Sequence, residues 1–333
     1  MFSSEDAEEI NQTIKSFPIG TEFSIAKIQN DSVGYYGVIN TKNGVKVIKN
    51  ENSIFEVGSI TKVFTSTILA QMIEEQLVSL DEAIDVKLGF PLKGNAKITY
   101  KELSTHSSGL PRIPPSLRRS LFFRKNDNPY HDFSEEKLLN YLKNEMKLKK
   151  KGILRYSNLG AGLLGYTLTK YFNQSYDEML KQRLFNPLRM YNTTTIREEI
   201  KDKLVTGLDK KGNPVKNWDM NILAGAGAVL SSVTDLSKFI VENIQGDDSA
   251  MNYQRQCIFE KGRQLMSLGW FILRNKIPNI EEAYFHNGGT GGYKSSMVID
   301  FNKRNGVVVL SNVSGLYLFK GHKIDLLSYK LLK

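Results

Sequence analysis

Ser59 and Lys62 stand three residues apart in Gly58-Ser59-Ile60-Thr61-Lys62, at the head of a run with helical apolar spacing. Residues i and i+3 of a helix share a face, so the hydroxyl and the amine would be neighbours. A serine hydroxyl is a poor nucleophile until a base takes its proton. A lysine in a dry pocket loses its charge and can act as that base. The first turn of a helix also presents free backbone N–H groups, and that of Ser59 could hold an oxyanion. The chemistry this pair could do is acyl transfer through a serine ester. The plain alternative is an N-cap serine followed by a surface lysine.

The elements that must position the pair can be read from periodicity. Val63, Phe64, Ile68, Met72, Ile73 and Leu77 predict a long core-facing helix from Ser59 to Leu77. Before it, 21–28 alternates at period two as a half-buried strand. A second strand over 34–39, the turn-like Asn43-Gly44 and Val45 to Ile48 complete an antiparallel meander. Residues 81–204 read as mainly helical. Predicted helices cover 134–148 with a Ser N-cap, 158–171, and 176–184, the last stopped by Asn186-Pro187. Strands return at 267–273, with a hairpin of 292–301 and 306–311 around Lys303-Arg304-Asn305-Gly306.

The expected fold class is therefore α+β, an antiparallel sheet built from both termini and flanked by helices, with an inserted mainly helical lobe. One domain over 1–333 is expected, with an α/β lobe of about 1–80 and 205–333 and a helical lobe of about 81–204. A cleft between lobes is the natural place for a site.

Two further motifs keep the serine and lysine company. Tyr156-Ser157-Asn158 lies at a loop entering a helix, and His286-Asn287-Gly288-Gly289-Thr290-Gly291-Gly292-Tyr293 precedes the last hairpin. With these, the chain resembles the serine β-lactamase and penicillin-binding-protein superfamily, in the branch of class C β-lactamases, D-amino-acid peptidases and related esterases. Leu103 to Leu110, Phe185 to Met190, Ala224 to Gly227 running into Ser231 to Leu236, and Leu268-Gly269-Trp270 resemble its landmarks in order and spacing. The likeness spans roughly 20–315.

The resemblance implies a set of roles. Ser59 attacks a carbonyl, Lys62 and Tyr156 share the proton transfers, and Asn158 bonds Lys62 and the substrate amide. The backbone N–H groups of Ser59 and Gly289 form the oxyanion hole, with His286 and Asn287 beside them as substrate-binding residues. Where the family has Lys-Thr-Gly, this chain has His286-Asn287-Gly288. A histidine is only partly charged near neutral pH, which favours peptidase and esterase activity over β-lactamase activity. The implied substrate is an amide or ester with a D-amino-acid or peptidoglycan-like element. A β-lactamase and a penicillin-binding sensor without turnover remain the alternatives.

Composition sets the outer bounds. Hydrophobic residues at 41% and charged residues at 24% fit a globular protein, which excludes disorder. The single cysteine, Cys257, excludes an internal disulfide and Cys-rich metal sites, and is expected to be a buried or neutral thiol. His106, His131, His286 and His322 lack ligand spacing, so neither a metal nor another cofactor is expected. His106 is expected to be structural, and Trp270 and Tyr293 to sit in the core or cleft wall. The glycines from 288 to 292 match no nucleotide-binding pattern.

The net charge of +10 could draw the chain to an anionic cell envelope, but Lys147 to Lys151 lacks interleaved aromatics. Nucleic acid is therefore not an expected partner. The acidic first residues do not form a signal peptide and no apolar run reaches the roughly 18 residues that span a bilayer, so the compartment stays open. Specificity is expected in 111–130, with Pro114-Pro115 and the basic Arg118-Arg119.

Overall fold

Two blocks of strands, far apart in sequence, make one sheet. In the computed structural model, which describes residues 1–30, 32–117, 128–316 and 321–333, the N-terminal meander is β1 (Glu22–Gln29), β2 (Ser32–Thr41) and β3 (Gly44–Ile48). A small separate ribbon pairs β4 (Phe55–Glu56) with β5 (Leu230–Ser231). The C-terminal block is β6 (Phe259–Lys261), β7 (Gln264–Met266), β8 (Phe271–Ile277), β9 (Ile280–Gly289), β10 (Lys294–Asp300) and β11 (Asn305–Ser311). Nine of these strands form an antiparallel sheet in the order β3-β2-β1-β11-β10-β9-β8-β7-β6. The join between the blocks is β1 against β11, with Ile25 opposite Val309. The expected α+β class, a sheet built from both termini, is the one observed.

Both faces of the sheet centre are covered. Helices α1 (Ser4–Ile14), α2 (Thr61–Glu74), α3 (Asn158–Phe172), α4 (Val233–Gln245) and α5 (His322–Leu331) are the longest. Side chains alternate between faces along a strand. Phe23 and Ile25 of β1, Val298 of β10 and Val309 of β11 pack with Ile10 and Ile14 of α1 and Leu327 of α5. The alternate residues Ala26, Ile28, Met297 and Leu310 pack with Phe64, Ile68, Phe239 and Ile240 of α2 and α4. The strand over 21–28 is thus buried on both sides rather than one. Two of its polar members are paired: Ser24 donates to the Asn50 carbonyl at 3.0 Å, and Lys27 pairs with Asp6 at 2.8 Å.

Three local readings are corrected. The helix expected from 59 is a single 3-10 turn, Gly58–Ile60, running into α2, which ends at Glu74. The strand expected over 267–273 begins only at Phe271, because the chain turns at Gly269, where φ is +75°. A Cβ there would stand 2.8 Å from the Lys62 carbonyl, so the turn lies against α2. In the last hairpin Arg304, not the Asn-Gly pair, takes positive φ (+54°). Gly306 is instead a strand residue whose missing Cβ makes room for Ile240, 2.6 Å from the place it would fill. Gly306→Ala is expected to cost about 1–3 kcal/mol by overpacking, read as a lower urea midpoint; an unchanged midpoint would mean α4 gives way freely.

Cys257 is exposed rather than buried, and partial desolvation pushes its thiol up, so it stays neutral. Trp270 and Tyr293 are fully buried. Lys147, Lys149, Lys150 and Lys151 are solvated. No helix among the described residues is long and apolar enough to cross a membrane.

Candidate active site

The turn that carries Ser59 is held by what surrounds it. Gly58 takes φ +52°, and a Cβ there would stand 2.8 Å from the Gly289 nitrogen. The i, i+3 relation then works as expected, with Lys62 Nζ 2.8 Å from Ser59 Oγ. Lys62 also donates to the Ala226 carbonyl at 2.6 Å. Burial, and secondly the charge of Arg112, holds the Lys62 amine well below the usual lysine range. In its neutral form such an amine can donate to the carbonyl and accept the serine proton.

Tyr156 lies between this pair and the sheet. Lys62 Nζ is 4.9 Å from its ring centroid and the Arg112 guanidinium 5.0 Å. The His106 ring approaches to 4.5 Å, and Phe271 stacks on it at 6.3 Å. Burial pushes the phenol up, a hydrogen bond with Ser59 offsetting part of this, so the resting tyrosine is a phenol, not a phenolate. Burial thus favours the phenol on Tyr156 and the neutral amine on Lys62, an acid beside a base.

His286 is buried and stands 6.3 Å from Tyr156, centroid to centroid. Its Nδ1 lies 2.7 Å from the Asn287 carbonyl, which can only accept, so Nδ1 carries the proton. Burial pushes its pKa down to about 3. The expectation of a partly charged ring is therefore corrected: His286 is neutral. His106 is structural as read, its Nδ1 accepting from the Ser157 N–H at 3.3 Å, and burial holds it neutral too.

Asn158 departs from the role implied for it. Its Nδ2 donates to the Tyr130 hydroxyl at 2.9 Å, and its buried Oδ1 has no partner. Lys62 is bonded to Ser59 and Ala226 instead. The free Oδ1 remains an acceptor for a substrate N–H. Asn287 points to α5, donating to Asp325 at 2.8 Å; Asp325 pairs with Lys294 at 3.0 Å.

Gly289 comes from a strand with neighbours on both sides, yet its outer edge is open. β8 pairs with β9 only as far as Phe285. Thr290 donates to the Tyr293 carbonyl at 2.9 Å. Pairs alternate in an antiparallel ladder, so Gly289, opposite Lys294, turns its N–H away from β10. Gly288 is packed still closer: a Cβ there would stand 1.9 Å from the Val57 carbonyl and 2.9 Å from the Ser59 nitrogen. The Gly288-Gly289 end of β9 is thus packed directly against the turn that bears Ser59.

These residues open onto a cavity of about 570 Å³, lined by Ser59, Tyr156, Asn158, Asn287 and Gly289 among others. A larger open depression of about 880 Å³, bordered by Glu22, Asn50, Asp202 and Lys203, holds none of the chemistry. The expected specificity segment, 111–130, contributes Arg112, Ile113 and Tyr130 to the same cavity, whereas sequence reasoning missed Trp218, Phe271 and Lys294, which also line it. It also missed Glu56, whose carboxylate accepts from the Trp218 N–H at 2.9 Å and fixes that wall. No spacing marks them, because each reaches the cavity from a separate segment. Arg118 and Arg119 lie outside the described residues.

Comparison with known proteins bears on the fold and the family. A family model described as Beta-lactamase matches residues 25–325. Protein flp of Staphylococcus aureus (strain MW2) is 24% identical over 290 residues, 83% of this chain and 56% of flp. Putative beta-lactamase-like 1 of Homo sapiens is 26% identical over 258 residues, 73% of this chain and 50% of the relative. The chain spans about half the length of these curated relatives. Among solved structures, a class C beta lactamase from Rhodobacter sphaeroides superposes with TM-score 0.82 at 17% identity, covering 98% of this chain and 99% of the other. A beta-lactamase/D-alanine carboxypeptidase from Pseudomonas syringae gives TM-score 0.80 at 23% identity, covering 98% and 97%.

Proposed function

This chain belongs to the Beta-lactamase family, and from that premise we propose that it is a serine hydrolase working through an acyl-enzyme on Ser59. The observation that carries the reading is Lys62 Nζ at 2.8 Å from Ser59 Oγ, where burial holds the amine well below the usual lysine range. Lys62 takes the hydroxyl proton as Ser59 adds to the carbonyl. The Ser59 and Gly289 N–H groups hold the oxyanion. Tyr156, a phenol at rest, protonates the leaving group and is reprotonated through Lys62. Water then cleaves the ester by the reverse path.

The substrate we propose is an ester or an amide with a D-amino-acid or peptidoglycan-like element, a peptidase or esterase role. Neutral His286 where the family has a lysine supports this over β-lactamase activity. The name of the Pseudomonas syringae neighbour, which includes a D-alanine carboxypeptidase, is consistent with it.

Intact-mass time courses with excess p-nitrophenyl acetate and with benzylpenicillin, run on wild type and Ser59→Ala, test the reading. The acetate is expected to give a transient adduct of one acetyl group on the wild type only. A persistent penicilloyl adduct would favour a penicillin-binding role with slow deacylation. Equal acylation of Ser59→Ala would sink the mechanism.

A further inference from the structure

The cavity beside Ser59 carries more positive charge than the hydrolytic reading uses. Its lining among the described residues includes two charged side chains, Arg112 and Lys294, and no carboxylate. Lys294 is answered from behind by Asp325, at 3.0 Å. Lys62 is committed to Ser59, and His286 is neutral. Arg112 differs from all three. It is exposed at the rim, and its guanidinium is placed over the Tyr156 ring at 5.0 Å without an ion-pair partner among the described residues.

Its backbone is anchored to the catalytic motif. The Arg112 carbonyl accepts the N–H groups of Asn158 at 2.9 Å and Leu159 at 3.2 Å. The first turn of α3 therefore fixes Arg112 relative to Tyr156. The wall beside it is aromatic, with Tyr130 and Trp218 at 5.6 Å between centroids, and Phe271 on the Tyr156 ring. Aromatic walls lower the local dielectric, and a guanidinium stacked on a ring keeps its N–H fork free for a planar anion. A carboxylate is the planar anion that such a fork binds through two parallel hydrogen bonds.

We propose that Arg112 is a specificity residue that binds a carboxylate on the substrate, beside the bond that Ser59 cleaves. The hydrolase would thus act on carboxylate-bearing esters or amides, the anion read from the α3 side of the cavity. The proposal rests on the acyl-enzyme reading. Arg112's charge also helps hold Lys62 low, so a test by turnover alone would mix binding with catalysis.

A binding measurement avoids that. Phenylboronic acid and 3-carboxyphenylboronic acid each add the Ser59 oxygen to boron, the hydroxyl proton passing to Lys62, to give a tetrahedral boronate. Calorimetric Kd values for both on wild type, Arg112→Gln, Arg112→Lys and Ser59→Ala form the experiment. The carboxylated compound is expected to bind wild type at least about tenfold more tightly, as a charge-assisted bond allows. Arg112→Gln should cut that ratio about tenfold, whatever happens to both affinities, and Arg112→Lys should keep part of it. Thermal unfolding confirms that the variants are folded. Equal binding of the two boronates by wild type, or the same ratio in Arg112→Gln, overturns the proposal alone. Binding of neither to wild type, or unchanged binding to Ser59→Ala, overturns the acyl-enzyme reading and the proposal with it.

Discussion

Lys62→Met is expected to lower Ser59-dependent turnover by about 10²- to 10⁴-fold, the range of a positioned general base, and to make the protein more stable. Lys62 is buried with its amine held low. Folding must therefore strip a proton that the unfolded chain keeps up to its ordinary value of 10.5. The sign follows from linkage: the unfolded state binds more protons, so wild-type stability rises with pH between the folded and unfolded values. Below the folded value the cost is full, and above 10.5 it is gone. Methionine fills similar space without a charge to desolvate, although it leaves the Ala226 carbonyl unanswered. Tm of the variant should exceed that of wild type most at low pH, the gap narrowing as pH climbs toward 10.5. Turnover by wild type should rise with pH on a limb set by Lys62, well to the acid side of 10.5. A variant less stable than wild type at every pH, or an unmoved pH–rate limb, would remove Lys62 from the base role.

Gly288→Ala should do as much damage without touching a functional side chain. The added Cβ would meet the Val57 carbonyl at 1.9 Å, Ser295 Oγ at 2.4 Å and the Ser59 nitrogen at 2.9 Å. Two of these are backbone atoms of the turn bearing the nucleophile, so no rotamer change relieves the contact. β9 must move away from Ser59, taking the Gly289 N–H with it. Loss of one oxyanion donor costs about 10²- to 10³-fold in kcat, and overpacking a further 1–3 kcal/mol or so of stability. Matched kinetics and thermal unfolding check both. Wild-type kcat in Gly288→Ala would show that the β9 edge is not held against the turn.

Periodicity and spacing revealed the parts whose physics is local. Ser59 and Lys62 are one turn apart, Ser157 caps α3, accepting from the Gly160 N–H at 2.9 Å, and the first meander announces itself by alternation. What stayed illegible depends on pieces that meet only in space. The 271–277 strand was read early because Gly269 turns against α2, a contact invisible in a linear pattern. Gly306 looked like a turn residue, although its reason is Ile240. His286 looked half-charged because sequence carries no burial, and burial is the largest cause of its shift. Asn158 turned to Tyr130, a residue no motif flagged. The final helix, α5, went unread altogether, though Asp325 on it answers Lys294 at the cavity wall.

The pairing of β1 with β11 also governs when the site can exist. A chain made from its N-terminus exposes Ser59 and Lys62 early, but β1 then has no inner neighbour. The loop that the pairing closes runs through nearly the whole sequence, which makes the closing step a late and slow one. Until β9 to β11 have emerged, the nucleophile has no Gly289 amide beside it and no neighbouring strand to enclose the Tyr156 ring. On the proposed mechanism a nascent or truncated chain is expected to be hydrolytically silent while its open strand edge makes it prone to aggregate. Competence arrives all at once, with the last strands to be made.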